Sequence, residues 1–172
     1  FSNAGDKHLQ ASATVGIAST FTRGSMVVTA GIGSTVTFNG ASPVMTGIAT
    51  TFTNLTVTTG SLSAPSDLTV TGNLITTTPG TLNMSSYTLN LTGNYTGTGA
   101  LAFSSGTFNI SGSYTNTGTF TCWTGTVDYN GSGAQTVRGV NYNNLTFSNV
   151  GTKTLQASRT IGIAGTFTRG TM

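Results

Sequence analysis

Three consecutive stretches of the chain write one pattern again at a step of 19 residues: TLNLTGNYTGTGALAFSSG from Thr88, TFNISGSYTNTGTFTCWTG from Thr107 and TVDYNGSG from Thr126. Gly93, Gly112 and Gly131 fall in one column, Gly80, Gly99 and Gly118 in a second, and Gly106 and Gly125 in a third. Between the glycines, apolar residues alternate with polar ones. Leu89 and Leu91 register with Phe108 and Ile110, then with Val127 and Tyr129, while Asn90, Asn109 and Asp128 lie between the pairs. A second set reads Leu82 and Met84, Leu101 and Phe103, Phe120 and Cys122. Period-two alternation predicts strands with one buried face, and the glycines predict corners, through the positive φ that tight turns demand. A unit this short encloses no core alone. Coiled one on another, such units give every strand a parallel neighbour about 4.8 Å away, so that like side chains meet like. An antiparallel sandwich or barrel needs hairpin turns and offers no reason for a fixed step. The expected fold is therefore all-β, a parallel β-helix (β-solenoid) of about 19–21 residues per coil with essentially no helix.

A longer repeat lies over the short one. Phe1 to Met26 and Phe147 to Met172 match without a gap at 19 of 26 positions, an offset of 146 residues. The segment from Thr35 to Leu74 aligns with that from Thr126 to Phe167 with small shifts in the loops, so the half beginning at Phe1 occurs three times, near residues 1, 57 and 147. Residues 1–172 are thus expected to form a single continuous solenoid, a window of a tandem array. Each 146-residue superrepeat would make roughly seven coils, advance something like 34 Å and present the same faces again.

Composition agrees with strands. The chain has 38 Thr and 24 Gly but three acidic residues (Asp6, Asp67 and Asp128), so it lacks helix formers and is rich in β-branched residues. Disordered chains avoid aromatic and aliphatic residues, whereas here they recur at regular spacing. The net charge of +3 comes from scattered Lys and Arg with no basic run, which argues against nucleic-acid binding. No stretch of about 20 apolar residues is present to span a membrane. The single Cys122 has no internal disulfide partner.

A catalytic reading finds little to stand on. Glycoside hydrolysis uses two carboxylates about 5–10 Å apart, and the three Asp are far apart in sequence. Asp128 continues the outward column below Asn109 and reads as part of a polar ladder. His8, the only histidine, has neither a Cys nor a carboxylate cluster beside it and is replaced by Thr154 in the second copy. Cys122 takes the column of Phe103 and reads as a small buried hydrophobe. Glycine-rich pieces such as GNYTGTG lack the Lys of a phosphate loop, and the calcium-binding GGxGxD repeat is absent. No catalytic, cofactor-binding or metal-binding residue is assigned, no cofactor is expected, and the chain is not read as an enzyme. Trp123 falls in the outward phase, where an exposed ring could serve surface binding. Tyr95 and Tyr114 form a stacked pair one step apart. Seven Asn-x-Ser/Thr triplets, at Asn54, Asn83, Asn90, Asn94, Asn109, Asn130 and Asn144, are possible glycosylation sites, although stacked Asn ladders also account for them.

The segment GAQTVRGVNYNNLTFSNVGTKTLQASRTIGIAGTFTRG, Gly133 to Gly170, resembles the Thr/Asn/Gly-rich tandem repeats of giant bacterial cell-surface and adhesin-like β-solenoid proteins. The resemblance implies an extracellular, cell-surface location and a structural or adhesive role, and it transfers no site residue. The expected function is the repeat unit of an extracellular filament or adhesin stalk, whose partners are further copies of itself and surface carbohydrate. The alternative is a carbohydrate- or ice-binding solenoid surface, carried by outward Thr in TFT, TVT and LTVT. A polysaccharide-degrading β-helix enzyme ranks third.

Overall fold

The computed structural model describes residues 7–22, 28–47 and 50–170. Strands and turns make up the chain, with no helix among the described residues, and the strands pair in parallel throughout. The fold is a β-solenoid with three strands to a coil, one on each of three faces. The first face stacks Lys7–Leu9, Val28–Ala30, Thr50–Phe52, Leu68–Val70, Leu89–Leu91, Thr107–Ile110, Thr126–Tyr129, Asn144–Phe147 and Phe167–Arg169. The second carries Thr14–Ile17, Thr35–Phe38, Asn54–Val57, Leu74–Thr76 and Tyr95–Gly97, a single bridge at Tyr114, then Gln135–Val137 and Lys153–Leu155. The third carries Thr20–Thr22, Val44–Thr46, Ser61–Ser63, Thr81–Ser85, Ala100–Phe103, Phe120–Cys122, Asn141–Tyr142 and Gly162–Ile163.

The columns read from sequence are the layers of this stack. Leu89 pairs with Phe108 and Phe108 with Val127; Leu91, Ile110 and Tyr129 follow in the same way, with Asn90, Asn109 and Asp128 between them on the outside. The pleat explains the alternation: in Thr107–Ile110 and Thr126–Tyr129 every second side chain is buried. Steps vary more than the 19–21 expected. On the first face they run from 18 residues (Thr126 opposite Asn144) to 22 (Leu145 opposite Phe167), the difference being absorbed at the corners.

Side chains from all three faces meet in one continuous core. Its middle coils are aliphatic, with Leu55, Leu62, Leu68, Leu74, Leu82 and Leu89 fully buried. Its later coils are aromatic. Rings from Tyr95 and Phe103 through Phe108, Tyr114, Phe120, Tyr142, Tyr129 and Phe147 to Phe167 touch in sequence, with centroids 5.0 to 6.5 Å apart. Each fully buried large apolar side chain contributes about 1.5–3 kcal/mol, and no single coil could gather enough of them by itself.

Three sequence expectations need correction. The column glycines do not have positive φ; among the described residues the glycines that do are Gly33, Gly47, Gly60, Gly97 and Gly151. The columns are glycine because the preceding coil leaves no room. A Cβ on Gly112 would collide with the carbonyl oxygen of Gly93, one on Gly93 with that of Gly72, and one on Gly118 with that of Gly99. Secondly, Met84 does not pair with Phe103. A bulge after Asn83 puts Ser85, at φ 51°, opposite Phe103, while Met84 stays buried.

The third correction concerns the long repeat, whose copies do not present the same faces. Lys7–Leu9, Thr14–Ile17 and Thr20–Thr22 occupy the first, second and third faces in turn. Their counterparts at an offset of 146, Lys153–Leu155, Gly162–Ile163 and Phe167–Arg169, occupy the second, third and first. Seven steps along the first face lead from Lys7–Leu9 to Asn144–Phe147, and Lys153–Leu155 is one face further on, so the copies are seven coils and one third apart. The middle copy takes the remaining phase: Ser61–Ser63 lies on the third face, Leu68–Val70 on the first and Leu74–Thr76 on the second. Local geometry survives the rotation. Ser12 and Ser158, equivalent residues in the outer copies, have φ of 58° and 57°.

Candidate interaction surfaces

Trp123 follows the strand Phe120–Cys122 on the third face. Its backbone N–H still bonds to the Phe103 carbonyl of the preceding coil at 3.3 Å, but the strand has ended and the indole turns outward, 76 % exposed. Beside it an open hollow of about 270 Å³ is lined by Phe120, Asn141, Tyr142, Asn143 and Ala164. An exposed indole next to primary amides offers an apolar platform with hydrogen-bonding groups at its edge, the chemistry that holds a sugar ring. Cys122, half-buried beneath it, pairs with Phe103 as the column implied. Burial pushes its thiol pKa up, against backbone hydrogen bonds from Asn143 and Gly125 that lower it, so it lacks the thiolate character of a nucleophile.

The interior contains a polar cluster that sequence reading missed. Where the second face narrows to a bridge at Tyr114, Arg138 reaches in from the next coil. Its guanidinium donates to the Tyr114 hydroxyl at 2.9 Å and the Gly118 carbonyl at 2.7 Å, and its carbon lies 4.9 Å from the Tyr114 ring centroid. Tyr129 accepts from the Arg138 N–H, Tyr142 donates to the Arg138 carbonyl, and the two tyrosine hydroxyls are 2.9 Å apart. On the other side, the Tyr95 hydroxyl lies 2.9 Å from Thr76 Oγ1, which also accepts from Asn116 Nδ2. Burial raises the pKa of Tyr95, Tyr114, Tyr129 and Tyr142, Tyr129 to about 12, so the phenols stay neutral and satisfied. The partners lie on different coils at unequal sequence separations, which is why no column announced them.

The two acidic residues among those described, Asp67 and Asp128, do not meet. Asp67 accepts from the Thr88 N–H at 2.7 Å, and Asp128 accepts from Ser148 Oγ on both oxygens, at 2.8 and 2.7 Å. Three steps of the first face separate their strands, about 14 Å along the axis, wider than the gap between a glycosidase's carboxylates. Asp6 lies outside the described residues, and His8 is described in its backbone alone. No three His, Cys, Asp or Glu side chains gather into a metal-binding group among the described residues. No helix there is long and apolar enough to cross a membrane.

The asparagines at the corners form ladders of a specific kind. Asn54 Oδ1 accepts from the Asn73 N–H, Asn73 Oδ1 from the Asn94 N–H, and Asn94 Oδ1 from the Ser113 N–H, at 2.8, 3.0 and 2.9 Å. Each carboxamide thus supplies a corner amide that has no strand partner. Asn144, the equivalent of Asn54 in the long repeat, does the same for Thr166 on a different face. Among the seven sequon residues, the nitrogens of Asn54, Asn109 and Asn144 donate within the protein. Those of Asn83, Asn90, Asn94 and Asn130, where a glycan would attach, make no hydrogen bond that would have to be given up, although the oxygens of all four accept one.

The outward side chains change from coil to coil. Along the second face the outer pairs are Thr14 and Gly16, Thr35 and Thr37, Asn54 and Thr56, then Asn73 and Ile75. One Thr-x-Thr pair among these four coils makes no rank.

No protein-family model matches the chain, and neither a curated protein nor a solved structure shows significant similarity to it.

Proposed function

We propose that this chain is the body of an extracellular filament or cell-surface fibre, a rod whose task is to span distance. The observation that supports this most directly is the combination of three faces of parallel strands stacked coil on coil with a sequence that repeats along them. Hydrogen bonds between coils run along the axis, every coil needs a neighbour to bury its apolar side chains, and added repeats extend the rod without new design. The secreted setting rests on the resemblance of Gly133 to Gly170 to surface-protein repeats. Further copies of the same sequence are the natural partners, and the role is structural, not enzymatic. Electron microscopy of a protein carrying several 146-residue repeats tests the reading. Thin rods that lengthen by about 35 Å per added repeat, the rise of seven and one third coils, are expected. Compact particles that do not lengthen would refute it.

One observation favours a second role on the same rod. Trp123 and the flanking amides of Asn141 and Asn143 form a lateral patch suited to carbohydrate. Binding to immobilised polysaccharide that Trp123→Ala abolishes would support this role; equal retention of both proteins would dismiss it. For the ice-binding alternative the second face offers one Thr-x-Thr pair in four coils, which is no regular rank.

A further inference from the structure

At the corner where the second face gives way to the third, the ladder of strands is interrupted. Tyr95 and Tyr114 share a single bridge, and pairing on the second face resumes only between Gln135–Val137 and Lys153–Leu155. A cleft of about 160 Å³ opens sideways there across three successive coils, lined by Thr115 and Thr117 of the first, Arg138 of the second, and Gln156 and Arg159 of the third. Arg138 is braced by the Tyr114 hydroxyl and the Gly118 carbonyl, and the rest of its guanidinium fork has no partner among the described residues. Gln156 is fixed in its turn, because its Oε1 accepts from the Gly139 N–H at 2.9 Å, which leaves its Nε2 to donate elsewhere. Arg159 crosses directly over Gly139, where a Cβ would strike its side chain. Stacking does not ask for this arginine, since the first copy of the long repeat has Ala13 in its place. Nor does a carboxylate neutralise the pair among the described residues: Asp67 is engaged by the Thr88 N–H and Asp128 by Ser148 Oγ.

We propose that this cleft is an anion subsite for an acidic polysaccharide, holding a carboxylate or sulfate group of the sugar chain between Arg138 and Arg159. A guanidinium fork already oriented by the protein gives a bidentate oxyanion contact with little further loss of rotamer freedom. The groups around it, Gln156 Nε2 and the Thr115 and Thr117 hydroxyls, suit the hydroxyls of a sugar, and no aliphatic side chain lines the cleft to anchor an acidic peptide. The subsite rests on the carbohydrate reading of the Trp123 patch and extends it. Both flank the same short strands of the third face: Arg138 precedes Asn141–Tyr142, and Asn143, beside the Trp123 indole, follows them. The five residues from Arg138 to Asn143 span at most about 16–18 Å. One extended polysaccharide then lies across the face, with an acidic group in the cleft and a neighbouring ring on the indole.

Titration calorimetry of the 172-residue chain with polygalacturonate, dextran sulfate, neutral dextran and polyglutamate tests this. Arg159→Gln is the deciding variant, because replacing Arg138 would also strip Tyr114 and Gly118 of their donor. Arg169→Gln is the control, since it removes the same charge from an exposed position on the first face. Circular dichroism of both variants should match the parent. The Kd for the better of the two acidic polysaccharides should rise about tenfold in Arg159→Gln and less than about twofold in Arg169→Gln. Within that pattern, preference for polygalacturonate places a carboxylate in the cleft and preference for dextran sulfate a sulfate, and either supports the subsite. Equal weakening by the two variants would overturn it, leaving general attraction to a cationic rod. Polyglutamate bound as tightly as the acidic polysaccharides would overturn the sugar assignment in favour of an acidic peptide. Neutral dextran held through Trp123, with no gain from acidic groups, would overturn the cleft and spare the Trp123 platform, whereas no binding of any polysaccharide would sink both.

Discussion

Gly112→Ala tests why the corners are glycine. The residue does not need a glycine backbone conformation; what excludes a methyl group is the Gly93 carbonyl directly beneath it. The added Cβ must push the coils apart where they are about 4.8 Å from one another, an overpacking cost of about 1–3 kcal/mol. The opening also strains the rungs on either side, Ser111 N–H to the Leu91 carbonyl and Ser113 N–H to Asn94 Oδ1, both 2.9 Å. At roughly 0.5–1.5 kcal/mol for each of the two rungs weakened, the total is about 2–6 kcal/mol. Gly133→Ala is the matched control, because no atom lies within 4 Å of the Cβ it would add and its φ is not positive. It should be neutral, or gain up to about 1 kcal/mol from the stiffer unfolded chain. Urea unfolding followed by circular dichroism should show the Gly112→Ala midpoint falling by about 1 M or more, with the slope unchanged. If the two substitutions cost the same, coil spacing is not what selects glycine, and the stacking argument loses its main local support.

Removing the ring of Phe108, which packs against Phe103, Tyr95 and Tyr114, should cost about 3–5 kcal/mol in the same assay, among the largest effects of any single truncation. Asn94→Ala strips the acceptor from the Ser113 N–H and should cost about 1 kcal/mol; in Asn90→Ala the lost bond is between exposed side chains, and the cost should stay below about 0.5 kcal/mol. Trp123→Ala should leave stability within about 0.5 kcal/mol, since its ring is mostly in water. Alkali should unfold the rod. The buried tyrosines have folded pKa values above the ordinary value near 10, so their contribution is complete below that pH and drains away as the pH climbs. Tyr129 alone, at about 12, makes this roughly 3 kcal/mol. Tyrosinate absorbance should therefore rise together with loss of the β signal, and phenols ionising in an intact fold would contradict the burial argument.

Much of the architecture was legible because stacking makes sequence periodic. Leu89, Phe108 and Val127 could be paired on paper since each coil copies its neighbour's environment, and Asn109 and Asp128 could be placed outside by the pleat. The glycine columns were visible, but their cause was not. Positive φ and a crowded Cβ leave the same residue behind, and only the position of the Gly93 carbonyl distinguishes them. The phase of the long repeat was hidden for another reason. Coils of 18 to 22 residues accumulate a third of a turn over the repeat, and no single alignment column records a running total. The Arg138 cluster escaped because its contacts, to Tyr114, Gly118, Tyr129 and Tyr142, recur nowhere else among the described residues. For the Trp123 patch, the outward phase was readable, whereas the amides of Asn141 and Asn143 come alongside only when the chain has wound round once more.

The direction of the rungs also decides how such a rod answers a pull on its two ends. Tension acts straight along the bonds between coils, so the terminal coil peels off before the one below it feels much load, as thread leaves a spool. A freed coil of about 20 residues stretches to roughly 65–70 Å where it had occupied about 4.8 Å, a lengthening of more than tenfold. A tether made this way yields by unwinding one layer at a time instead of snapping, and each layer can be wound back onto the stump that templates it.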